Sequence, residues 1–389
     1  MRGAAELSEP EIRHAERVHA RIAGEIESAG GWIGFERYME LALYAPGLGY
    51  YSAGARKFGP GGDFTTAPEV STLFGACLAR QCAEILSDVV DGCIMEVGAG
   101  SGRLAVDVLT RLEAMRQLPS RYFILEVSAD LRSRQRGLLA QRLPHLLTKV
   151  TWLDAPDSTA FEGVIMVNEV LDALPVARFR WHPTQCEELG VALRADRFVW
   201  SARPASPQLA RLCDSLAEHA GGWEAGYVSE VCPRLAAWSR GIVGGLRRGA
   251  VLWLDYGLPR AQFYLPERRE GTLICHFRQQ LHADPFAHPG LEDISAWVDF
   301  TALAEACAQT ACEVAGFTTQ ALFLAGIGID REIQAMAAGD EGRFLRFAGE
   351  AKRLMLPGEM GESFKAMAWS VGLERALSGF ALRDLRHSL

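Results

Sequence analysis

The chain has no C-x-x-C pair, no internal repeat, no low-complexity tract and no long apolar run. Its nine cysteines are odd in number and scattered, which fits reduced thiols in a reducing compartment and points to neither a disulfide framework nor zinc. A basic excess is also missing. The formal net charge of −8 excludes nonspecific binding to nucleic acid or to an anionic membrane surface, both of which need a positive field. The longest apolar stretch, Ala321 to Ile329, is far too short to cross a bilayer, so no membrane insertion is expected. Residues Met1 to Arg21 mix Glu6, Glu9, Glu11 and Glu16 with arginine, unlike a secretory signal or an acid-poor mitochondrial transit peptide. These absences predict a soluble, cytoplasmic protein, or a matrix protein if the source is eukaryotic. The even spacing of His276, His282 and His288 is not a metal-ligand spacing, and no metal site is predicted.

What the chain does have is 389 residues, 49% of them hydrophobic, enough for one large or two ordinary domains. The most informative stretch is Cys93-Ile94-Met95-Glu96-Val97-Gly98-Ala99-Gly100-Ser101-Gly102-Arg103. A short apolar run bounded by glycine reads as a buried strand, and Leu104, Val108, Leu109, Leu112 and Met115 then recur at helical spacing. The glycines therefore sit in a strand-to-helix turn, where a side chain at Gly98 or Gly100 would occupy the place of a ligand. A dinucleotide fold asks for G-x-G-x-x-G, but its third glycine position here holds Arg103. One helix later, Tyr122-Phe123-Ile124-Leu125 ends in Glu126, a carboxylate at the same sheet edge with the right chemistry to accept both ribose hydroxyls of a nucleoside. A polar loop, Gly61 to Ser71, leads into a helix carrying Phe74, Leu78 and Cys82, with Ser71 or Thr72 as its cap.

The acid-x-G-x-G-x-G pattern from Glu96 to Gly102 resembles motif I of class I S-adenosylmethionine (SAM) methyltransferases. With it, in order, come Gly62 to Ser71, Ile124-Leu125-Glu126-Val127-Ser128, Asn168-Glu169-Val170-Leu171-Asp172-Ala173-Leu174-Pro175 and Leu254-Asp255-Tyr256-Gly257. Together they resemble the MidA-like methyltransferases, a family that includes the mitochondrial complex I assembly-factor protein arginine methyltransferase and bacterial relatives. The resemblance runs from Gly34 to about Gly372. It implies an α/β, Rossmann-like seven-stranded sheet with helices on both faces, with SAM as the cofactor. Strands are expected near 93–97, 121–126, 149–153, 163–168 and 250–255, with a closing pair near 319–325 and 364–371. Helices are expected near 102–117, 129–141, 233–247 and 299–315. The parts would be an N-terminal extension with a cofactor-contacting loop (1–75), core segments at 76–175, 231–257 and 299–389, an antiparallel insertion turning around Gly190 (176–230) and a second insertion (258–298). Such insertions usually build the substrate side.

By the same resemblance, Thr65, Thr66, Pro68, Glu96, Gly98, Gly100, Gly102, Glu126, Asp154 and Asn168 form the cofactor site, Asp154 reaching toward the adenine amino group. The end of the fourth strand would carry the chemistry. An acceptor guanidinium needs carboxylates to hold it and to draw its charge away from the attacking nitrogen, and Glu169, Asp172 and Glu230 are the acidic candidates. The expected function is methylation of arginine in a partner protein, such as a respiratory complex I subunit. Two other readings stand beside it: an N- or O-methyltransferase acting on a small molecule, and a non-catalytic SAM-binding assembly factor. One departure is visible, since Trp297 stands in Asp293-Ile294-Ser295-Ala296-Trp297-Val298-Asp299-Phe300 where the family implies His.

Overall fold

The computed structural model describes residues 7–53, 66–156 and 160–389. Its central sheet contains β1 (Cys93–Val97), β2 (Tyr122–Leu125), β3 (Val150–Leu153), β4 (Phe161–Asn168), β5 (Leu246–Leu258), β6 (Glu313–Thr319) and β7 (Phe364–Val371). The strands stand in the order β3-β2-β1-β4-β5-β7-β6. From β3 to β5 every pairing is parallel, whereas β7 runs antiparallel to both β5 and β6. The two-residue strand Val298–Asp299 extends the far end of β5. Because β1, β2 and β4 are parallel, all three deliver their C-terminal residues to one edge, and the order reverses between β1 and β4 at the crevice where open α/β sheets bind ligands.

Both faces of the sheet are covered, as the near-continuous apolar strands require. Alternate residues go to opposite sides. Ile94, Ile124, Val164 and Leu252 pack against Phe74, Leu78 and Cys82 of helix Thr72–Leu86 and against Leu104, Val108 and Leu112 of helix Arg103–Ala114. Met95, Ile165, Val167 and Trp253 pack on the other side against Leu235 and Ile242 of helix Leu235–Val243 and against Phe300 and Leu303 of helix Phe300–Cys307. Each fully buried Leu or Ile of this kind contributes roughly 1.5–3 kcal/mol relative to exposure. Ser71 caps helix Thr72–Leu86, its Oγ accepting the Leu73 N–H at 3.0 Å. Among the described residues no helix is long and apolar enough to cross a membrane.

Two smaller sheets complete the molecule. In one, Ala177–His182 and Gln185–Arg194 are antiparallel, flanked by Tyr227–Val231, Ile33–Gly34 and Arg197–Pro204. The other consists of Gln280–His282, Ile274–Phe277 and Asp293–Ser295. Helices Glu9–Ser28 and Phe35–Tyr44 pack on both through Val18, Ile22, Tyr38 and Leu41, which share a core with Val191, Phe198, Cys275 and Ile294.

Three local expectations are corrected. The closing strand is Glu313–Thr319, and the apolar stretch that follows forms helix Gln320–Ile327, capped by Thr319. A short all-apolar run has no period that separates a strand from a buried helix, and here helix packing on the core decides. The helix expected over 299–315 is only Phe300–Cys307, because β6 begins at Glu313. Gly190 lies in the middle of a strand rather than in a turn. A Cβ there would run into the Trp32 ring and the Ile33 carbonyl, while the turn itself is made by Ala195 and Asp196 at positive φ.

Candidate active site

The turn after β1 is built from left-handed backbone, with φ of 66° at Gly98 and 53° at Gly100. A Cβ at Gly98 would meet Val170 at 2.9 Å, so the turn closes directly onto the segment that follows β4. Above this edge lies a cavity of about 1160 Å³. Its walls bring together Thr66, Pro68, Glu96, Gly98, Gly100, Glu126, Asp154, Asn168, Glu169 and Asp172. Ligand pockets commonly fall in the range of about 300–1,000 Å³, so this volume accommodates a cofactor and a second reactant together.

Glu96, the last acid before the glycines, is buried and accepts the Tyr122 hydroxyl at 2.6 Å. Burial pushes its carboxyl up to about 7. Glu126 is also buried, its oxygens accepting the Ser128 N–H at 2.9 Å and the Gln135 amide at 3.0 Å. Gln135 in turn donates to the Gly100 carbonyl at 3.0 Å and accepts from the Trp152 indole at 3.0 Å, which ties the strand-end carboxylate to the glycine turn. Gly102 stands behind this wall as the N-cap of helix Arg103–Ala114, where a Cβ would press on Gln135 at 3.2 Å. Asp154 is at the mouth of the cavity, paired with Arg132. Thr65 lies outside the described residues.

One side chain gathers the backbone of the segment after β4. Asp255, fully buried on β5, accepts the N–H groups of Val170 at 3.1 Å, Leu171 at 2.9 Å and Asp172 at 3.4 Å through one oxygen, and that of Tyr256 at 2.9 Å through the other. This staple aims Glu169 and Asp172 into the cavity. Glu169 has φ of 53°, an uncommon conformation for a residue with a side chain. Its carboxylate accepts the Ala67 N–H at 3.0 Å and the Asn168 amide at 3.1 Å. Part of its surface faces the void, and burial of the rest pushes it up to about 8. Asp172 is 7% exposed, and burial together with nearby Asp293 raises it to about 7. Hydrogen bonding from Tyr256 and Ser295, which line the same end, holds it down in part against that burial.

Several wall residues were not among the candidates read from the sequence. Asp293 and His276 reach the cavity from the third sheet, where they are direct cross-strand partners. Tyr44 and Tyr51 bond the Ala173 carbonyl and Asp293, each at 2.8 Å. Trp297 is on the wall, edge-on to Tyr256 at 6.4 Å, with the Arg268 guanidinium over its ring at 5.1 Å. Glu230 does not reach this cavity. Its strand pairs with Ala177–His182 in register with Arg178, so its carboxylate meets Arg178 at 3.3 Å and the Thr272 N–H at 2.9 Å beside a separate cavity of about 90 Å³.

The main cavity fits an adenosyl group carrying an amino-acid tail. Gly98 and Gly100 give it bare backbone at positive φ, Leu125, Val127, Leu131 and Pro156 offer an apolar wall, and Glu96, Glu126 and Asn168 offer polar anchors. Residues 77–318 match the family described as "Putative S-adenosyl-L-methionine-dependent methyltransferase". A Burkholderia thailandensis crystal structure bound to S-adenosyl-homocysteine is 41% identical over 100% of both chains, with a TM-score of 0.94. The chain belongs to this methyltransferase family. A second Burkholderia thailandensis crystal structure, 40% identical over 100% of both chains, gives a TM-score of 0.92. Among curated proteins, the chain is 28% identical to the zebrafish (Danio rerio) protein named "Protein arginine methyltransferase NDUFAF7, mitochondrial", covering 87% of this chain and 83% of the relative. The mouse (Mus musculus) protein of the same name is also 28% identical, covering 92% of this chain and 84% of the relative. The methyltransferase has the class I fold, and SAM is its cofactor.

Two consequences are measurable. Replacing Glu126 by Ala removes a charged hydrogen-bond acceptor from the cavity wall, and calorimetry should show SAM affinity lower by roughly tenfold to a hundredfold, about 1.5–3 kcal/mol. Unchanged affinity would make Glu126 a brace for Gln135 and nothing more. The second concerns pH. Glu96, Glu169 and Asp172 have folded values raised to about 7, 8 and 7, so each favours the fold fully below its unfolded value and loses that contribution as pH rises through the folded one. Glu11, held low by Ser8, and Glu40, held low by Arg234, act only in more acid solution. The ligand-free methyltransferase should therefore melt about 5 °C lower at pH 8.5 than at pH 5.5 in scanning calorimetry. A higher Tm at pH 8.5 would contradict this account of the buried acids.

Proposed function

We propose that this methyltransferase transfers the methyl group of SAM to an arginine side chain of a partner protein. The observation that carries this reading is the convergence of buried Asp172 and Asp293 with Glu169 at one end of the cavity, beside Tyr256 and Trp297. Buried carboxylates without a cation are costly to ionise, and a cation with several N–H donors satisfies them. Bound SAM supplies a methyl group made electrophilic by its sulfonium. The acceptor guanidinium is protonated at every accessible pH, so its positive charge has to be drawn toward the nitrogens that do not attack. Asp172 and Glu169 accept N–H bonds from those nitrogens, fix the plane of the group and leave the remaining nitrogen directed at the methyl. That nitrogen gives up one proton as it gains the methyl, and the product keeps a single positive charge. The names of the curated relatives support arginine as the acceptor. On the sequence resemblance, a respiratory complex I subunit is the first partner to test.

The test is transfer of labelled methyl from SAM into whole-cell extract by the purified chain, followed by identification of the labelled residue. Label on arginine in one or a few proteins is expected. Label on small molecules alone would favour the small-molecule reading, and SAM binding with no transfer at all would favour a non-catalytic role.

A further inference from the structure

Resting on the arginine reading, we infer that Asp172 and Asp293 form a two-carboxylate fork for the acceptor guanidinium, and that filling this fork expels one proton to solvent. The two acids come from different elements and meet at one end of the cavity. Asp172 follows β4, while Asp293 opens strand Asp293–Ser295. The Ala296 N–H, just past that strand, bonds the Asp172 carbonyl at 3.0 Å and locks the two segments side by side. Both side chains are buried, at 7% and 2% exposure, and both line the cavity. Asp293 is held in place from two sides, one oxygen accepting the Tyr51 hydroxyl at 2.8 Å and the other the Ser295 hydroxyl at 2.8 Å. Asp172 forms no ion pair with any described residue.

Two carboxylates facing one buried space cannot both ionise cheaply, so the empty site retains a proton on the pair. The groups around them relieve this only in part, through hydrogen bonding from Tyr51, Tyr256 and Ser295. Tyr44, Tyr51 and Tyr256 are neutral, Asp255 and Glu169 are further acids, and His276, whose ring lies 4.0 Å from Asp293, is the one described neighbour able to become positive. Burial and the charge of Asp293 hold Asp172 near 7, and burial raises Asp293 above its ordinary value, which agrees with a shared proton. A planar guanidinium presents five N–H donors in a fork, enough to bond both carboxylates at once, with Tyr256 and Trp297 supplying aromatic surface beside it. The balance is one cation entering, one proton leaving, and two carboxylates left ionised. An ammonium has no such fork and should be taken poorly.

The probe is propylguanidinium, titrated by calorimetry into the chain saturated with S-adenosyl-homocysteine, in two buffers of different protonation heat. Near pH 6.5 the buffer dependence should report about two protons released per guanidinium bound, one from the pair and one from Glu169, falling toward zero near pH 9, where these acids are already ionised. Propylammonium should bind at least about tenfold more weakly. Asp293→Asn should lower guanidinium affinity roughly tenfold to a hundredfold and remove about one of the two protons released. Guanidinium binding with one proton or none released by the parental protein, or unaffected by Asp293→Asn, would overturn the fork and leave the arginine reading standing. No binding in preference to propylammonium would overturn both. The buffer comparison uses the parental protein, so it decides the point even where Asp293→Asn fails to fold.

Discussion

Glu169→Gln is expected to keep SAM affinity within about threefold while lowering methyl transfer at least about a hundredfold, the scale of one lost charged contact of roughly 3 kcal/mol. The substitution is nearly isosteric, and the glutamine oxygen remains able to accept the Ala67 N–H and the Asn168 amide that now bond the carboxylate at 3.0 and 3.1 Å. The left-handed turn at this position and the bond from its own N–H to the Leu254 carbonyl at 2.8 Å are therefore retained. What goes is the negative charge facing the acceptor. An interaction realised mainly in the transition state appears in turnover rather than in cofactor affinity. Because burial raises Glu169 to about 8 in the empty site, its ionisation depends on the arriving cation. The parental rate should fall as pH is lowered through this range, and Glu169→Gln should lose that part of the profile. A variant turning over at the parental rate would remove Glu169 from the mechanism. Loss of SAM affinity would move it to the cofactor wall.

The second large effect is expected at Asp255. Replacing it by Ala leaves four backbone N–H groups, those of Val170, Leu171, Asp172 and Tyr256, without their acceptor beneath the active-site edge. Each orphaned donor costs about 1–3 kcal/mol when no water reaches it. Partial relaxation should leave a net loss of about 3–5 kcal/mol, within the range of single substitutions that break a buried network. Thermal unfolding should show Tm lower by at least about 5 °C, and transfer should fall with it because the same bonds position Asp172. Asp255→Asn keeps one oxygen but turns an amide toward N–H donors, so it should fall between the two. A Tm equal to the parental value for Asp255→Ala would show that the segment after β4 holds its shape without the staple.

The cofactor edge of the molecule was legible because it is local. A strand, its terminal acid and three glycines sit within ten residues, and the strand ending at Glu126 follows one helix later, so hydrophobic period and turn chemistry were enough. The acceptor end is not local. Asp293 and His276 meet only because Ile274–Phe277 pairs with Asp293–Ser295, and Tyr51 reaches Asp293 from 242 residues away. No spacing announces such a cluster. Glu230 illustrates the opposite error, an acid in a promising insertion that a register partner, Arg178, neutralises within its own sheet. The misassigned strand near 319–325 arose because an all-apolar segment carries no period, and Gly190 because a glycine reads as a turn when its crowding partner, Trp32, is distant in sequence. Asp255 stood in a recognisable string, but its task of capping the loop across the sheet is written in the β4–β5 register alone.

The measurement that tests the account most directly is a crystal structure of this chain with S-adenosyl-homocysteine and propylguanidinium bound together. The account predicts the nucleoside on the Gly98–Gly100 turn and Glu126, with the guanidinium bridging Asp172 and Asp293 in the same cavity. A guanidinium seated elsewhere, with Asp172 and Asp293 left without a cation, would contradict it.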